Sequence, residues 1–378
     1  MKRILILMLA LVLLLTGCST TPDPTTAPTT EPTAESTAEP TTEPTTAPTT
    51  EATTEATTEP ATEPTTEPAM LYRSPLTGEP MAAPATKRPY AVVINNISMA
   101  QPLHGIGEAD MLFEIVAEGG GSITRCLALY SDPAGVEKIG SVRSARTYLI
   151  DLARAYDAIF VHAGWSEYAR DLLRSSKWDF LNGLYGSASP YYYRDKARLD
   201  AGYALEHTYF TTGDNIIAYA KAEKHRTDAK FDNYGLTFAE DGTPDGKSAN
   251  SILLSFYKNG KKTEMTYDAE AGCYYGMQHW KSKSEPFADA NTGEKVPFEN
   301  VIILYAKTTT DGYRMFADLE GTGTGYYACG GKLVPITWSR SSATAPFVYT
   351  LEDGTPLTMG VGKSYVAVLP RKSPVEYK

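Results

Sequence analysis

Histidine, cysteine and tryptophan are scarce in this 378-residue chain, at five, four and four. No compact ligand spacing such as His-Glu-x-x-His occurs, so no metal is expected. Neither a Gly-x-Ser-x-Gly elbow nor a Walker-type phosphate loop is present, and no cofactor is expected. The run Gly321-Thr322-Gly323-Thr324-Gly325 has glycine spacing without a following helix pattern and reads as a turn. A basic surplus is also missing. The net charge of −10 resides in residues 19–69, which hold nine Glu, one Asp and no Lys or Arg. Residues 70–378 are near neutral, which excludes a strongly basic nucleic-acid surface; no nucleic-acid partner is expected.

Long apolar runs are absent except at the start. Lys2 and Arg3 precede Ile4–Leu15, an apolar run of the length of a signal-peptide core. A stable membrane span needs about 20 residues. The run ends in Leu15-Thr16-Gly17-Cys18. This pattern resembles a bacterial lipobox, in which the Cys is lipidated and becomes the new N-terminus. Residues 1–18 are therefore expected to be a lipoprotein signal peptide. Cys18 would hold the chain at the membrane from the extracytoplasmic face, with two acyl signals supplying the stable anchoring that one does not.

Residues 19–69 contain 21 Thr and ten Pro and no Val, Ile, Leu or Phe. Such a segment cannot bury enough apolar surface to offset the entropy of ordering, so a disordered linker is expected. Proline and like charges extend it, to at most about 150 Å at ~3.1 Å per residue. Its composition suits a stalk.

The remaining residues form two regions. In residues 70–228, strand-like runs at 90–95, 109–117, 123–131 and 157–162 alternate with helical patterns at 147–155, 166–175 and 213–225. This alternation predicts a mixed α/β N-terminal domain. Residues 229–378 carry short β-type runs at 251–257, 263–267, 301–306, 332–338, 347–351 and 364–369. The turn pairs Asn259-Gly260, Asp311-Gly312 and Asp353-Gly354 favour hairpins. The expectation is an α+β fold with an antiparallel β-rich C-terminal domain, the break lying at 229–245. Besides Cys18 the cysteines are Cys126, Cys273 and Cys329. Three cannot all pair within one chain; a Cys273–Cys329 disulfide is one option.

The strongest ligand-facing candidate is Ser141-Val142-Arg143-Ser144-Ala145-Arg146, between a strand end and a helix start. Free N–H groups there, with Arg143, Ser144 and Arg146, can grip a phosphate or carboxylate through bidentate bonds. The alternative pairs the same arginines with Glu114, Glu118, Asp151 or Asp157 inside the fold. His162, where an apolar strand emerges into Ala163-Gly164-Trp165, is the second candidate. His207, in Leu205-Glu206-His207-Thr208, is similar. Arg194 follows Tyr191-Tyr192-Tyr193, which suits either sugar stacking or ordinary packing.

Several of these residues carry a resemblance. Gly107-Glu108-Ala109-Asp110, Glu118-Gly119-Gly120, Thr124-Arg125, the Ile139–Arg146 run, Tyr156-Asp157-Ala158 and His162-Ala163-Gly164-Trp165-Ser166 resemble the YerB-like bacterial lipoproteins. Gly325-Tyr326-Tyr327, Gly331-Lys332, Ile336-Thr337-Trp338 and Gly362-Lys363-Ser364-Tyr365 are similar to the C-terminal part of that family. The resemblance covers about residues 71–371. It implies an extracytoplasmic lipoprotein built of two domains of uncharacterised function. The family usually has Pro where Ser141 stands, lacks two residues of the Gly121-Ser122 kind, and has Pro-His-Asn in place of Glu206-His207-Thr208. The leading functional expectation is binding of an anionic cell-envelope ligand or a partner protein. The alternatives are an enzyme acting on a phosphate-linked glycopolymer, loosely similar in layout to the LytR-CpsA-Psr transferases, and a structural scaffold.

Overall fold

A computed structural model describes residues 72–257 and 260–378. The expectations for residues 1–69, Cys18 included, lie outside the described residues. The described residues form one compact unit. Its spine is a twelve-stranded sheet whose main path runs Lys247–Ser248, Lys332–Arg340, Gly321–Cys329, Asn300–Thr310, Ser364–Pro370, Met111–Glu118, Ile123–Tyr130, Tyr90–Asn96, Ile159–His162 and Phe180–Asn182. The two sequence regions therefore share one sheet. They meet where Ser364–Pro370 lies parallel to Met111–Glu118, with Ser364 opposite Met111 and Val368 opposite Ile115.

Burial on both faces explains why these two strands read as near-continuous apolar runs. Every residue of Met111–Glu118 is buried, and so are six of the seven in Ser364–Pro370. The C-terminal region is mostly antiparallel, as its hairpin turns dictate. Asp311-Gly312 joins Asn300–Thr310 to its antiparallel partner Met315–Asp318. The antiparallel β-rich expectation has two exceptions, the first being Phe238–Ala239, which runs parallel to Met359–Gly360. Ser364–Pro370 inserts in mid-sheet and runs parallel to Asn300–Thr310 as well. A six-stranded antiparallel sheet, Ser251–Ser255 to Pro297–Phe298 with Val375–Tyr377, completes this region.

The α/β character of the N-terminal region is real but limited. One βαβ unit is present among the described residues: Ile159–His162, the helix Glu167–Ser176 and Phe180–Asn182, the two strands parallel. Tyr90–Asn96 also runs parallel to Ile159–His162, whereas Met111–Glu118 with Ile123–Tyr130 and Ile123–Tyr130 with Tyr90–Asn96 are antiparallel. Four short helices serve the sheet: α1 Thr147–Ala155, α2 Glu167–Ser176, α3 Lys196–Asp200 and α4 Gly213–Ala222. In α1, Tyr148, Leu149, Leu152 and Ala153 are buried at helical spacing. Ser166, Asp195 and Thr212 cap α2, α3 and α4 by accepting the N–H of Ala169, Arg198 and Asn215.

The core holds a charge that ties the regions together. Glu114 is fully buried and accepts bonds from Asn96 (2.9 Å), Thr124 (2.8 Å), Thr263 (2.8 Å) and Tyr365 (2.7 Å). The buried Lys261 ammonium lies 2.8 Å away. Cys126, Cys273 and Cys329 are free, buried thiols, so the disulfide option is not realised.

Candidate functional site

The Ile139–Arg146 segment is stitched down on three sides. Ser141 O accepts from Asn95 N–H at 2.9 Å, and Val142 N–H donates to Tyr209 O at 2.8 Å. Arg143 N–H donates to Val93 O, and Ala145 N–H to Gly164 O, both at 2.9 Å. The Val142, Arg143 and Ala145 N–H groups are thus spent on strands and neighbouring turns.

The two arginines of the run part ways. Arg146 is buried and donates to the Glu118 carboxylate and to Ala145 O. Arg125 meets the same Glu118 oxygen at 2.7 Å and donates to Ser144 O at 2.5 Å. Burial lowers the Arg125 guanidinium to about 10, with Glu118 opposing the shift, so it stays charged at neutral pH. Tyr148 closes this knot, its phenol pushed up by burial. Of the carboxylates named from sequence, Glu118 is the partner, and Arg146 is architectural.

Arg143 keeps its guanidinium a quarter exposed. Its nearest carboxylate oxygen, on Glu206, is 3.8 Å away, and its Nε is occluded with no partner. Beside it sits His207, nearly buried in the one-turn helix Leu205–His207. Asn95 Nδ2–H donates to His207 Nδ1 at 2.9 Å. Burial lowers the imidazole pKa, helped by Arg143 and Arg198, against Glu206. The ring is therefore neutral with its proton on Nε2, which lies 4.0 Å from Glu206 Oε1. Arg198 pins the turn by donating to His207 O and Ala100 O, both at 2.9 Å.

Arg194 belongs to the same surface but is occupied. It donates to Leu205 O, contacts Thr208 Oγ1 at 3.4 Å, and lies over the Tyr209 ring at 4.5 Å. The preceding tyrosines are mostly packed: Tyr191 stacks on Tyr219 and Tyr192 on Tyr209, leaving only Tyr193 of the three exposed. Ser144 is half-buried beside Gly164. A Cβ on Gly164 would come within 3.1 Å of Ser144 Oγ and 3.2 Å of Leu184 Cδ1, and its φ is +79°. Only glycine lets this turn close.

His162 does not line the surface, which corrects the expectation for a strand end. It is fully buried, packed between Phe160 at 5.2 Å and Trp165 and Phe180 at 5.7 Å. Its strand lies inside the sheet, so Trp165 and Phe180 cover the end. Nδ1–H donates to Gly164 O at 2.7 Å, and burial drives its pKa down to about 4.

Arg143, Arg194 and His207 are thus brought around the 205–208 turn, Ser144 lies against the Gly164 turn, and Arg146 and His162 are internal. Sequence reasoning missed Asn95 and Arg198. The only signal was a polar Asn pair ending an apolar strand. Cavities of about 480, 500 and 220 Å³ are lined by other residues. Among the described residues no group of three or more His, Cys, Asp or Glu could hold a metal ion, and no helix is long and apolar enough to cross a membrane.

Residues 76–227 match the family described as "Protein of unknown function (DUF3048) N-terminal domain", and 252–366 match its C-terminal domain. The chain is 31% identical over 307 residues to "Putative lipoprotein YerB" of Bacillus subtilis (strain 168), covering 79% of this chain and 86% of the relative. It is similar to the crystal structure of the YerB protein from Bacillus subtilis, with TM-score 0.67 and 29% identity, covering 80% of this chain and 99% of that one. With both regions matched in order and the relative spanned over most of its length, the chain belongs to the YerB-like family of lipoproteins of unknown function.

Proposed function

We propose that this protein is anchored through lipidated Cys18 on the extracytoplasmic face of the membrane, and that its Arg143–His207 surface binds an anionic group of a cell-envelope ligand or partner protein. One observation carries the reading. Arg125, Arg146 and Arg198 are consumed by internal acceptors, whereas Arg143 offers a partly exposed fork with only a distant carboxylate. Next to it the neutral His207 presents Nε2–H, a second donor. A planar fork plus a single N–H suits a phosphate or carboxylate oxygen pair. His207 offers a proton rather than a lone pair, which favours binding over base catalysis. Leu184 and Leu205, 60% and 64% exposed, flank the polar centre and can meet an apolar or carbohydrate portion.

The test is calorimetric titration of residues 70–378 with inorganic pyrophosphate at low salt. Arg143→Ala is expected to abolish binding, and Arg143→Lys to weaken it, because a point charge replaces the fork. Glu206→Gln removes the competing carboxylate and is expected to tighten binding several-fold. Pyrophosphate binding equally to the Arg143→Ala protein, or to neither protein, would sink the reading. For the anchor, Cys18→Ala is expected to release the protein from membranes; a variant retained in high salt argues against lipidation.

A further inference from the structure

The cavity of about 480 Å³ lies away from the arginine surface, under the strap formed by residues 75–89. The strap is pinned at its far end, where Arg88 N–H donates to Thr227 O and Ala229 N–H to Thr86 O, both at 2.8 Å. Saturated side chains make the walls: Pro75, Leu76, Met81, Pro84, Pro89 and, from α4, Ile217. Two tyrosines, Tyr90 and Tyr234, also line it, 7% and 1% exposed. Neither hydroxyl bonds to another described residue, and neither is among the occluded oxygens, so both stay open to an occupant. Burial raises the pKa of both phenols, so each holds its proton and offers a donor.

The cations nearby are already matched, while the exposed Asp132 carboxylate stands at the cavity edge with no cation paired to it among the described residues. Arg88 is buried against Asp157 and Asp179, and Lys87 pairs outside with Asp228 at 2.7 Å. A ligand seated here meets mostly saturated walls, no unpaired buried cation, the carboxylate of Asp132 at the edge, and the hydroxyls of Tyr90, Tyr234 and Ser131 as donors. Its inserted part must therefore be apolar and uncharged and carry an acceptor oxygen. The size is that of a small-molecule site, which spans roughly 300–1,000 Å³.

We propose that this cavity binds one single-chain acyl ester, its hydrocarbon against the proline, leucine and methionine walls and its carbonyl accepting from Tyr90 or Tyr234. The site is independent of the Arg143 surface, and Arg143→Ala leaves it intact. Residues 70–378 suffice for the test, because the described residues form one compact unit and a homologue, similar over 80% of this chain, was crystallised.

The experiment titrates that protein with 1-monolauroylglycerol below its critical aggregation concentration, read by native mass spectrometry and calorimetry. Saturable one-to-one binding is expected. Ile217→Trp, which fills the cavity from a partly exposed position on α4, is expected to abolish it while thermal unfolding stays cooperative. Tyr90→Phe and Tyr234→Phe keep the ring and remove the donor; at least one should weaken binding about five- to ten-fold. Absence of saturable binding, or an affinity unmoved by all three substitutions, would overturn the proposal. Equal affinity for dodecane, which has no acceptor, would overturn the role of the tyrosines. A proline-rich peptide binding in place of the ester would replace the ligand class altogether.

Discussion

Arg143 and Arg146 sit three residues apart in one loop, and their environments predict opposite responses to the same truncation. Arg146→Ala removes one of two guanidinium groups facing a buried Glu118. Breaking a buried pair costs about 3–5 kcal/mol, since the remaining charge loses its compensation. Arg125 still faces the carboxylate, so the lower end, about 3 kcal/mol, is expected. Arg143→Ala loses a 3.8 Å contact to a half-exposed carboxylate, an interaction worth less than about 1 kcal/mol. In urea, with a slope near 3 kcal/mol/M, the first variant shifts the midpoint by about 1 M and the second by a few tenths. Arg146→Lys should fall between, keeping charge but losing the fork. The assay is equilibrium unfolding of residues 70–378 followed by tryptophan fluorescence, with unchanged slopes as the condition for comparison. Equal midpoint shifts for the two alanine variants would refute the division of the loop into an architectural and a ligand-facing arginine.

Lys261→Met should destabilise by about 3–5 kcal/mol by stranding Glu114, and the double variant with Glu114→Gln should recover a measurable part in a double-mutant cycle. His162 is held near pKa 4 when folded against an ordinary value of 6.5. The unfolded chain therefore binds more protons between those values, and stability falls as pH drops from 6.5 towards 4. Its share is roughly 3 kcal/mol, complete above pH 6.5. Midpoints measured at pH 7.5 and 4.5 should converge in His162→Leu relative to the parent; an unchanged gap would mean the ring is solvated. Gly164→Ala forces a side chain into a left-handed turn against Ser144 and should cost about 1–3 kcal/mol and weaken pyrophosphate binding, both measurable by the titrations above.

Periodicity located the elements well because it reports local burial. The helical pattern at 147–155 is α1, and the apolar runs at 90–95 and 123–131 are strands within a residue. Strand neighbours were not legible, since hydrogen-bonded pairing depends on which distant segment arrives. Nothing local says that Ser364–Pro370 inserts beside Met111–Glu118 and merges two sequence regions into one sheet. Glu114 was one of the carboxylates set against Arg143 and Arg146, but its cation is Lys261, far along the chain.

The amino-acid order alone determined the export signal pattern, the Thr/Pro/Glu segment that cannot form a core, the sheet-rich body and the chemistry available around residues 141–146. Only the tertiary structure decided how that chemistry is spent. Arg143 and Arg146 could not be told apart in sequence, and His162 and His207 both read as site candidates, because residue type reports capability rather than surroundings. Folding placed Glu118 against Arg146 and closed Phe160, Trp165 and Phe180 over His162. It set Asn95 behind His207 so that its free proton points towards Glu206, beside Arg143. Desolvation and partner distance are properties of the packed state, so they separate an internal charge from one left for a ligand.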